Sequence, residues 1–236
     1  MPREYIALDI ETAKDVPGPD FNWKRYRPLG ITCVATVQSD LLEPMIWFSK
    51  NQRGIPAPRM SHQDCLSLLD YLWRMVGKGY TVLTWNGLGF DFDVLSEESG
   101  DFERCKDLAL NHVDMMFHVF CDRGFPVALD KAAKALGIPG KPSGISGSLA
   151  PQLWAQGRHQ EVMDYVAHDA RITLHVARTC EKTRSFSWIT KKGSVGSMEL
   201  RRGWLPVKDV LRLPEPDTSW MDDPMPRERF IDWMKP

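Results

Sequence analysis

Two carboxylates stand at the end of an apolar run near the start of the chain, in YIALDIET, residues 5–12. In an extended strand alternate side chains share a face, so Asp9 and Glu11 point one way and Ile10 the other. Two like charges held that close repel, and burying them is costly unless a positive group sits between them. The alternative is a strand that ends there with both acids solvated; an Asp-x-Glu triplet is expected about once by chance in a chain of this length. A third acid, Asp91, lies in TWNGLGFDFDVL, residues 84–95, where a buried strand runs into an Asn-Gly turn and a helix begins. An acid at that point also serves as an ordinary helix cap or dipole partner. A fourth, Asp169, lies in MDYVAHDARITLHVA, residues 163–177, four after Tyr165 and so on the same helix face. That pair borders an apolar stripe of Val162, Val166, Ile172, Thr173 and Val176, a place that equally suits the edge of a solvated face.

These acids depend on the elements that carry them. Apolar runs bounded by turn residues predict strands at 4–10, 31–37 and 44–48, joined by short polar loops as an antiparallel meander. Ser61 is a helix N-cap candidate before apolar positions 65, 66, 68, 69, 72, 73, 75 and 76, which close at Gly77 and Gly79. YTVLTW (80–85) reads as a further buried strand, FDVLSEES as the start of a helix, VALDKAAKALG (127–137) as another, and 158–183 as a long helix after a glycine-rich loop at 137–148. The order β-β-β-α-β-α-α predicts an α/β fold, a mixed central sheet flanked by helices.

Beyond residue 183 the chain changes character. Residues 178–202 hold seven Lys or Arg against two Glu, and SWITKKGSVGSMEL within them reads as a hairpin turning at Gly193. From 203 to 236 six prolines and three tryptophans alternate with acids, which predicts an extended arm anchored by Trp204, Trp220 and Trp233. The expected division is therefore 1–183 as the α/β domain and 184–236 as a C-terminal extension, a basic hairpin followed by a Pro/Trp-rich arm.

Composition narrows the class. With 236 residues, 43% hydrophobic and 26% charged, the chain reads as a globular protein with one sizeable core. A net charge of -1 gives no global attraction to nucleic acid or membrane, so any polyanion site must be local. Five scattered cysteines without a C-x-x-C pair point to a reducing compartment. Cys105, His112, His118 and Cys121 cluster, but their spacing matches no common zinc pattern. No apolar run approaches membrane-spanning length and no signal peptide precedes the first strand, so the expectation is a cytoplasmic protein with no membrane partner. GIPGKPSG lacks phosphate-loop spacing, and GLGFDF has Phe92 where a dinucleotide fingerprint needs its third glycine.

In order and context, LDIET, WNGLGFD and YVAHD resemble the three motifs of the DEDD superfamily, the DnaQ-like 3′-5′ exonucleases built on a ribonuclease H-like fold. The third motif is similar to the tyrosine form, the DEDDy subgroup, because Asp164 stands where the histidine form needs its His; His168 does not satisfy that form and is expected on the helix surface. The flavour of the second and third motifs is similar to the proofreading exonuclease domain of family B DNA polymerases. The resemblance spans roughly residues 4–182. It implies two divalent metal ions, Mg²⁺ or Mn²⁺, held by an all-oxygen shell. By the same resemblance Asp9 bridges both ions, Glu11 and Asp169 complete the nucleophile-side metal, and Asp91 holds the second. A tyrosine hydroxyl, with a reference pKa of about 10, is a poor base, so Tyr165 is expected to orient the attacking water. Asp114 is a weaker candidate, at most a supporting acid.

The resemblance implies a 3′-5′ exonuclease acting on the 3′ end of single-stranded or frayed DNA. The alternatives are an exoribonuclease on the same site and a non-catalytic nucleic-acid-binding module on the same fold. Ile10, Thr12, Leu88 and Phe90 lie beside motif positions as candidate base contacts, with Phe90 equally suited to anchoring the core. Asn86 either supports the turn or meets the terminal nucleotide. Lys141 and the basic 178–202 segment are candidate phosphate contacts. The chain is expected to act alone, with a separate protein partner, or by self-association through the C-terminal arm.

Overall fold

The structure is a computed structural model that describes residues 3–16, 23–140 and 147–235. Its centre is a five-stranded mixed sheet built from β1 (Tyr5–Thr12), β2 (Ile31–Gln38), β3 (Pro44–Trp47), β4 (Thr81–Thr84) and β5 (Val113–Asp114). The strand order is β3-β2-β1-β4-β5. The β1–β2 and β2–β3 pairs are antiparallel, and the β1–β4 and β4–β5 pairs are parallel. The three-strand meander expected from the sequence thus forms one side of the sheet. Parallel β4 and β5 extend it past β1, which lies in the middle.

Period-two alternation along β1 divides its side chains between two cores. Tyr5 and Ala7 join Cys33, Ala35, Leu83 and Val113 on one face, against α7 (His159–Thr183). Ile6, Leu8 and Ile10 join Val34 and Val82 on the other, against α1 (His62–Gly77) and α2 (Asp91–Ser99). Asp9 and Glu11 continue the Tyr5–Ala7 series and therefore point toward α7. The Ser61 hydroxyl caps α1, accepting the Asp64 amide at 3.1 Å.

Between α2 and α7 the chain forms α3 (Phe102–Asn111), α4 (Met115–Arg123), α5 (Leu129–Ala135) and α6 (Ala150–Ala155). Of these four, the sequence pattern predicts α5 alone. Residues Met115 to Cys121 of α4 are all buried, so the helix has no polar face from which a 3.6 period could be read. α6 is six residues long, with Pro151 in its first turn.

Residues 185–234 contribute to both cores. β6 (Ser185–Ile189) and β7 (Val195–Glu199) pair as an antiparallel hairpin, with Gly193 at φ +82° in the connection. Phe186, Trp188, Met198, Leu200 and the fully buried Trp204 join the α7 core. Val207 and Val210 of α8 (Val207–Val210), with Phe230 and Met234, join the α1 core. Trp233 is half-buried, whereas Trp220 is 65% exposed. No helix among the described residues is long and apolar enough to cross a membrane.

At about 1.5–3 kcal/mol for each large apolar side chain removed from a core, losing this set exceeds the whole stability of about 5–15 kcal/mol usual for a domain. A chain ending at residue 183 is therefore expected to show no cooperative thermal transition by circular dichroism, and a sharp melt from that fragment would refute the account.

Candidate active site

At the carboxyl ends of β1 and β4 a cavity of about 220 Å³ is lined by Asp9, Ile10, Glu11, Thr12, Trp85, Asn86, Phe90, Asp91, Gly147, Tyr165 and Asp169. The three separated sequence segments thus meet in one place. The solvated readings of these acids do not hold: Glu11, Asp91 and Asp169 are buried, as is Tyr165, and Asp9 is half-buried. Asp91 is the first residue of α2, so the helix terminus aims its carboxyl into the cavity. Burial and then the nearby Asp114 charge push the Asp91 carboxyl well above the usual carboxylate range, while backbone amides at Asp91 and Ile10 pull the other way. A Cβ built on Gly147 would lie 3.9 Å from Tyr165 Oη and 4.0 Å from Glu11 Oε2, which places these two groups against the same small patch of cavity wall. Among the described residues no three His, Cys, Asp or Glu side chains close on a single point as a ready-made metal site.

The turn that carries Asn86 and Phe90 is fixed from behind by Asp114. This fully buried carboxylate accepts the backbone N–H groups of Asn86 (3.0 Å), Leu88 (2.9 Å) and Phe117 (3.0 Å), so it holds the turn and caps α4 together. It does not line the cavity. Asn86 adopts φ +73°, a left-handed conformation that asparagine tolerates better than most residues. At Gly87 any Cβ would come within 2.4 Å of Thr84 Oγ1, so only glycine fits. Thr84 Oγ1 accepts the Gly87 amide at 3.1 Å and lies 3.0 Å from His112 Nε2. His112 Nδ1, 2.6 Å from the Ala109 carbonyl, must be the protonated nitrogen, so Nε2 accepts the Thr84 hydroxyl. The C-terminal residues close over the same turn: Trp233 Nε1 donates to the Leu88 carbonyl at 2.7 Å, and Phe230 approaches within 2.8 Å of a Cβ built on Gly89.

Most expected base contacts reach the cavity. Ile10 both lines it and packs in the α1 core, and Phe90 lines it with its ring edge-on to Trp23 at 5.1 Å between centroids. Leu88 does not. Its side chain is fully buried and both its backbone groups are hydrogen-bonded, so it anchors the turn and cannot stack on a base. Lys141 lies outside the described residues. His168 is half-buried on α7, its Nε2 3.1 Å from the Gly140 carbonyl. Sequence reasoning missed Trp85 and Gly147 as lining residues. Trp85 directly precedes Asn86, and that adjacency was the available signal; Gly147, in the glycine-rich loop, gave none.

The five-stranded mixed sheet flanked by helices, with an acid-lined cavity at the ends of its central strands, is that of an RNase H-like fold. The chain belongs to the RNase_H superfamily, whose family model matches residues 55–180. In three dimensions it is similar to the family B DNA polymerase from the hyperthermophilic archaeon Pyrobaculum calidifontis, with a TM-score of 0.57 and 16% identity over 99% of this chain. At that identity the likeness shows the fold, and the chain spans 28% of that polymerase. No curated protein matches the sequence.

The turn makes the protein's stability depend on two buried side chains. Asp114→Ala leaves three backbone donors without their acceptor at about 1–3 kcal/mol each, so the unfolding free energy from urea titration should fall by several kcal/mol; a loss under about 1 kcal/mol would contradict the role. Burial holds the His112 pKa down to about 3. The unfolded imidazole takes up a proton near its reference pKa of about 6.5 and the folded one does not, so this residue's contribution is present above that pH and is lost as pH falls toward 3. His112→Gln should therefore lower the urea midpoint at pH 7 yet flatten its acid dependence, and equal slopes for the two proteins would count against it.

Proposed function

We propose that the chain is a metal-dependent 3′-5′ exonuclease of the DEDDy type that hydrolyses the terminal phosphodiester of single-stranded or frayed DNA. The observation that carries this reading is the meeting of Asp9, Glu11, Asp91, Tyr165 and Asp169 in one open cavity. The donors fit hard divalent cations such as Mg²⁺ or Mn²⁺: four carboxylates with no thiol or imidazole among the lining residues. A buried Asp91 whose pKa is raised by burial and by a neighbouring acid would also gain from added positive charge.

In this reading Asp9 would be shared by both ions, Glu11 and Asp169 would help hold the one that activates the attacking water, and Asp91 would help hold the other. When bound, the pair supplies a lowered pKa to the attacking water and positive charge to the leaving 3′ oxygen. Tyr165, set beside Glu11 under Gly147, orients that water by hydrogen bonding. Ile10, Thr12, Trp85, Asn86 and Phe90 form the wall against which the last nucleotide is positioned, its base meeting the apolar members. DNA is favoured because the motif flavour is that of proofreading domains. The choice between action alone and action with a separate protein partner belongs to the same proposal.

The test uses end-labelled single strands with Mg²⁺ or Mn²⁺. The intact protein should release mononucleotides from the 3′ end, and Asp9→Ala or Asp169→Ala should lower the rate by about 10²- to 10³-fold or more, the cost typical of losing a charge-stabilising group. No release with either metal would sink the enzyme reading, and cutting of a circular single strand would replace exonuclease by endonuclease. Matched RNA and DNA strands decide the sugar preference. Gly147→Leu, which fills the space between Tyr165 and the cavity mouth, should abolish release while leaving the melting temperature within a few degrees of the parent; unchanged turnover would place the reaction elsewhere.

A further inference from the structure

A second and larger cavity, about 540 Å³, lies between α4 and the segment that follows β7. None of its lining residues lines the acid-lined cavity. Its wall has two kinds of surface. Met198, Leu200, Leu205 and Leu213 make an apolar side, while Arg123, Arg201, Arg202 and His118 make a donor-rich one, with Asp122 and Glu199 at its edge. The two acids are already engaged: Asp122 pairs with Arg123 at 3.0 Å and Glu199 with Arg201 at 2.7 Å. Arg202 has no hydrogen-bond or ion-pair partner among the described residues.

His118 is the informative member. It is 5% exposed, yet it is part of the cavity wall. Its Nδ1 accepts the Leu205 amide at 3.4 Å, so the proton of the neutral ring sits on Nε2, which has no partner among the described residues. Burial, and next the Arg202 guanidinium, hold its pKa down to about 4, so at neutral pH it presents an N–H donor without a second charge. Trp204 packs edge-on against the ring at 5.5 Å and sets its plane. An immobilised neutral donor beside an unpaired guanidinium suits an oxyanion better than a cation. The volume lies within the range of about 300–1,000 Å³ usual for small-ligand sites. Four aliphatic side chains beside it leave room for something apolar attached to that anion.

We propose that this cavity binds the phosphate group of a nucleotide, with Arg202 and His118 Nε2–H on the phosphate and the Leu200–Leu205–Leu213 side against the base. The phosphate could belong to a free mononucleotide or to a nucleotide within a strand, and the site does not depend on the exonuclease reading of the other cavity.

Titration calorimetry of the full chain with inorganic phosphate, with dAMP and with a five-residue oligo-dA tests it. The parent should bind dAMP or the oligonucleotide more tightly than phosphate alone. Arg202→Ala should weaken that binding by at least about tenfold, the loss expected for one charge-assisted hydrogen bond, with an unchanged melting temperature. The titrations are run without added divalent cation, and Trp85→Ala, which alters the wall of the other cavity alone, should leave the Arg202-dependent part of that binding in place. Tighter dAMP binding identifies a free nucleotide as the ligand, and tighter, salt-sensitive oligonucleotide binding identifies a strand. No heat of binding at millimolar ligand, or an affinity unchanged in Arg202→Ala, would overturn the proposal.

Discussion

The acceptance of three backbone amides by the buried Asp114 carboxylate is the interaction on which the rest of the site depends. It joins the end of β5, the Asn86–Leu88 turn and the start of α4 at one pair of oxygens. Without it the turn would carry unpaired amides into a dry interior, a cost no nearby side chain offsets. Because the turn is fixed, α2 begins where it does and Asp91 enters the cavity opposite β1. The Thr84–His112 relay secures the same turn at Gly87 and the C-terminal Trp233 secures it at Leu88, so separate parts of the chain converge on Asn86, Gly87 and Leu88.

This convergence explains what the sequence could and could not disclose. Asp9, Glu11, Asp91, Tyr165 and Asp169 were legible because each sits at a position fixed by local rules: the end of a strand, the first turn of a helix, a spacing of four within a helix. The meander and α1 were legible for the same reason, through alternation and through the Ser61 cap. Leu88 was misread because the neighbour of a motif residue looks exposed until the packing behind it is known. Asp114 was undervalued because two of its three partners are backbone amides 26 and 28 residues away in sequence, and α4 was invisible because a helix buried all round has no periodic signature.

The segment after α7 shows a different limit. Its prolines and its alternation of tryptophan with acids have the composition of an arm, yet Trp204 lies fully buried between Phe186 at 5.7 Å and His118 at 5.5 Å. Ring contacts continue from Phe186 to Trp85 at 6.1 Å, and Trp85 lines the acid cavity. The hairpin and the Trp204 segment are thus packed through aromatic rings to the wall of one cavity while forming part of the wall of the other. Aromatic side chains bury large areas with few torsions to fix. That makes them efficient at joining a late segment to a core already formed by the sheet and α7, and composition alone does not distinguish such a segment from a surface strap.

The electrostatics of the acid cavity can be argued from the same arrangement. Asp114 is spared much of the cost of its burial by the amide donors it accepts, which act against the desolvation that raises its pKa. Asp91 has backbone amides opposing its burial too, but it also feels the Asp114 charge, and its displacement upward is the larger of the two. The acid with the full set of amide donors therefore serves as a structural anchor, and the acid that retains the greater unmet demand for positive charge faces the cavity. Asp9 and Glu11 are kept on one strand face by the pleat of β1 within the β1–β2 register. Acids gathered on one cavity wall concentrate negative potential there as they ionise. In the proposed reaction that potential would repel a bare phosphodiester and favour the divalent cations that make its approach feasible, so the demand for metal arises from the fold that gathers the acids.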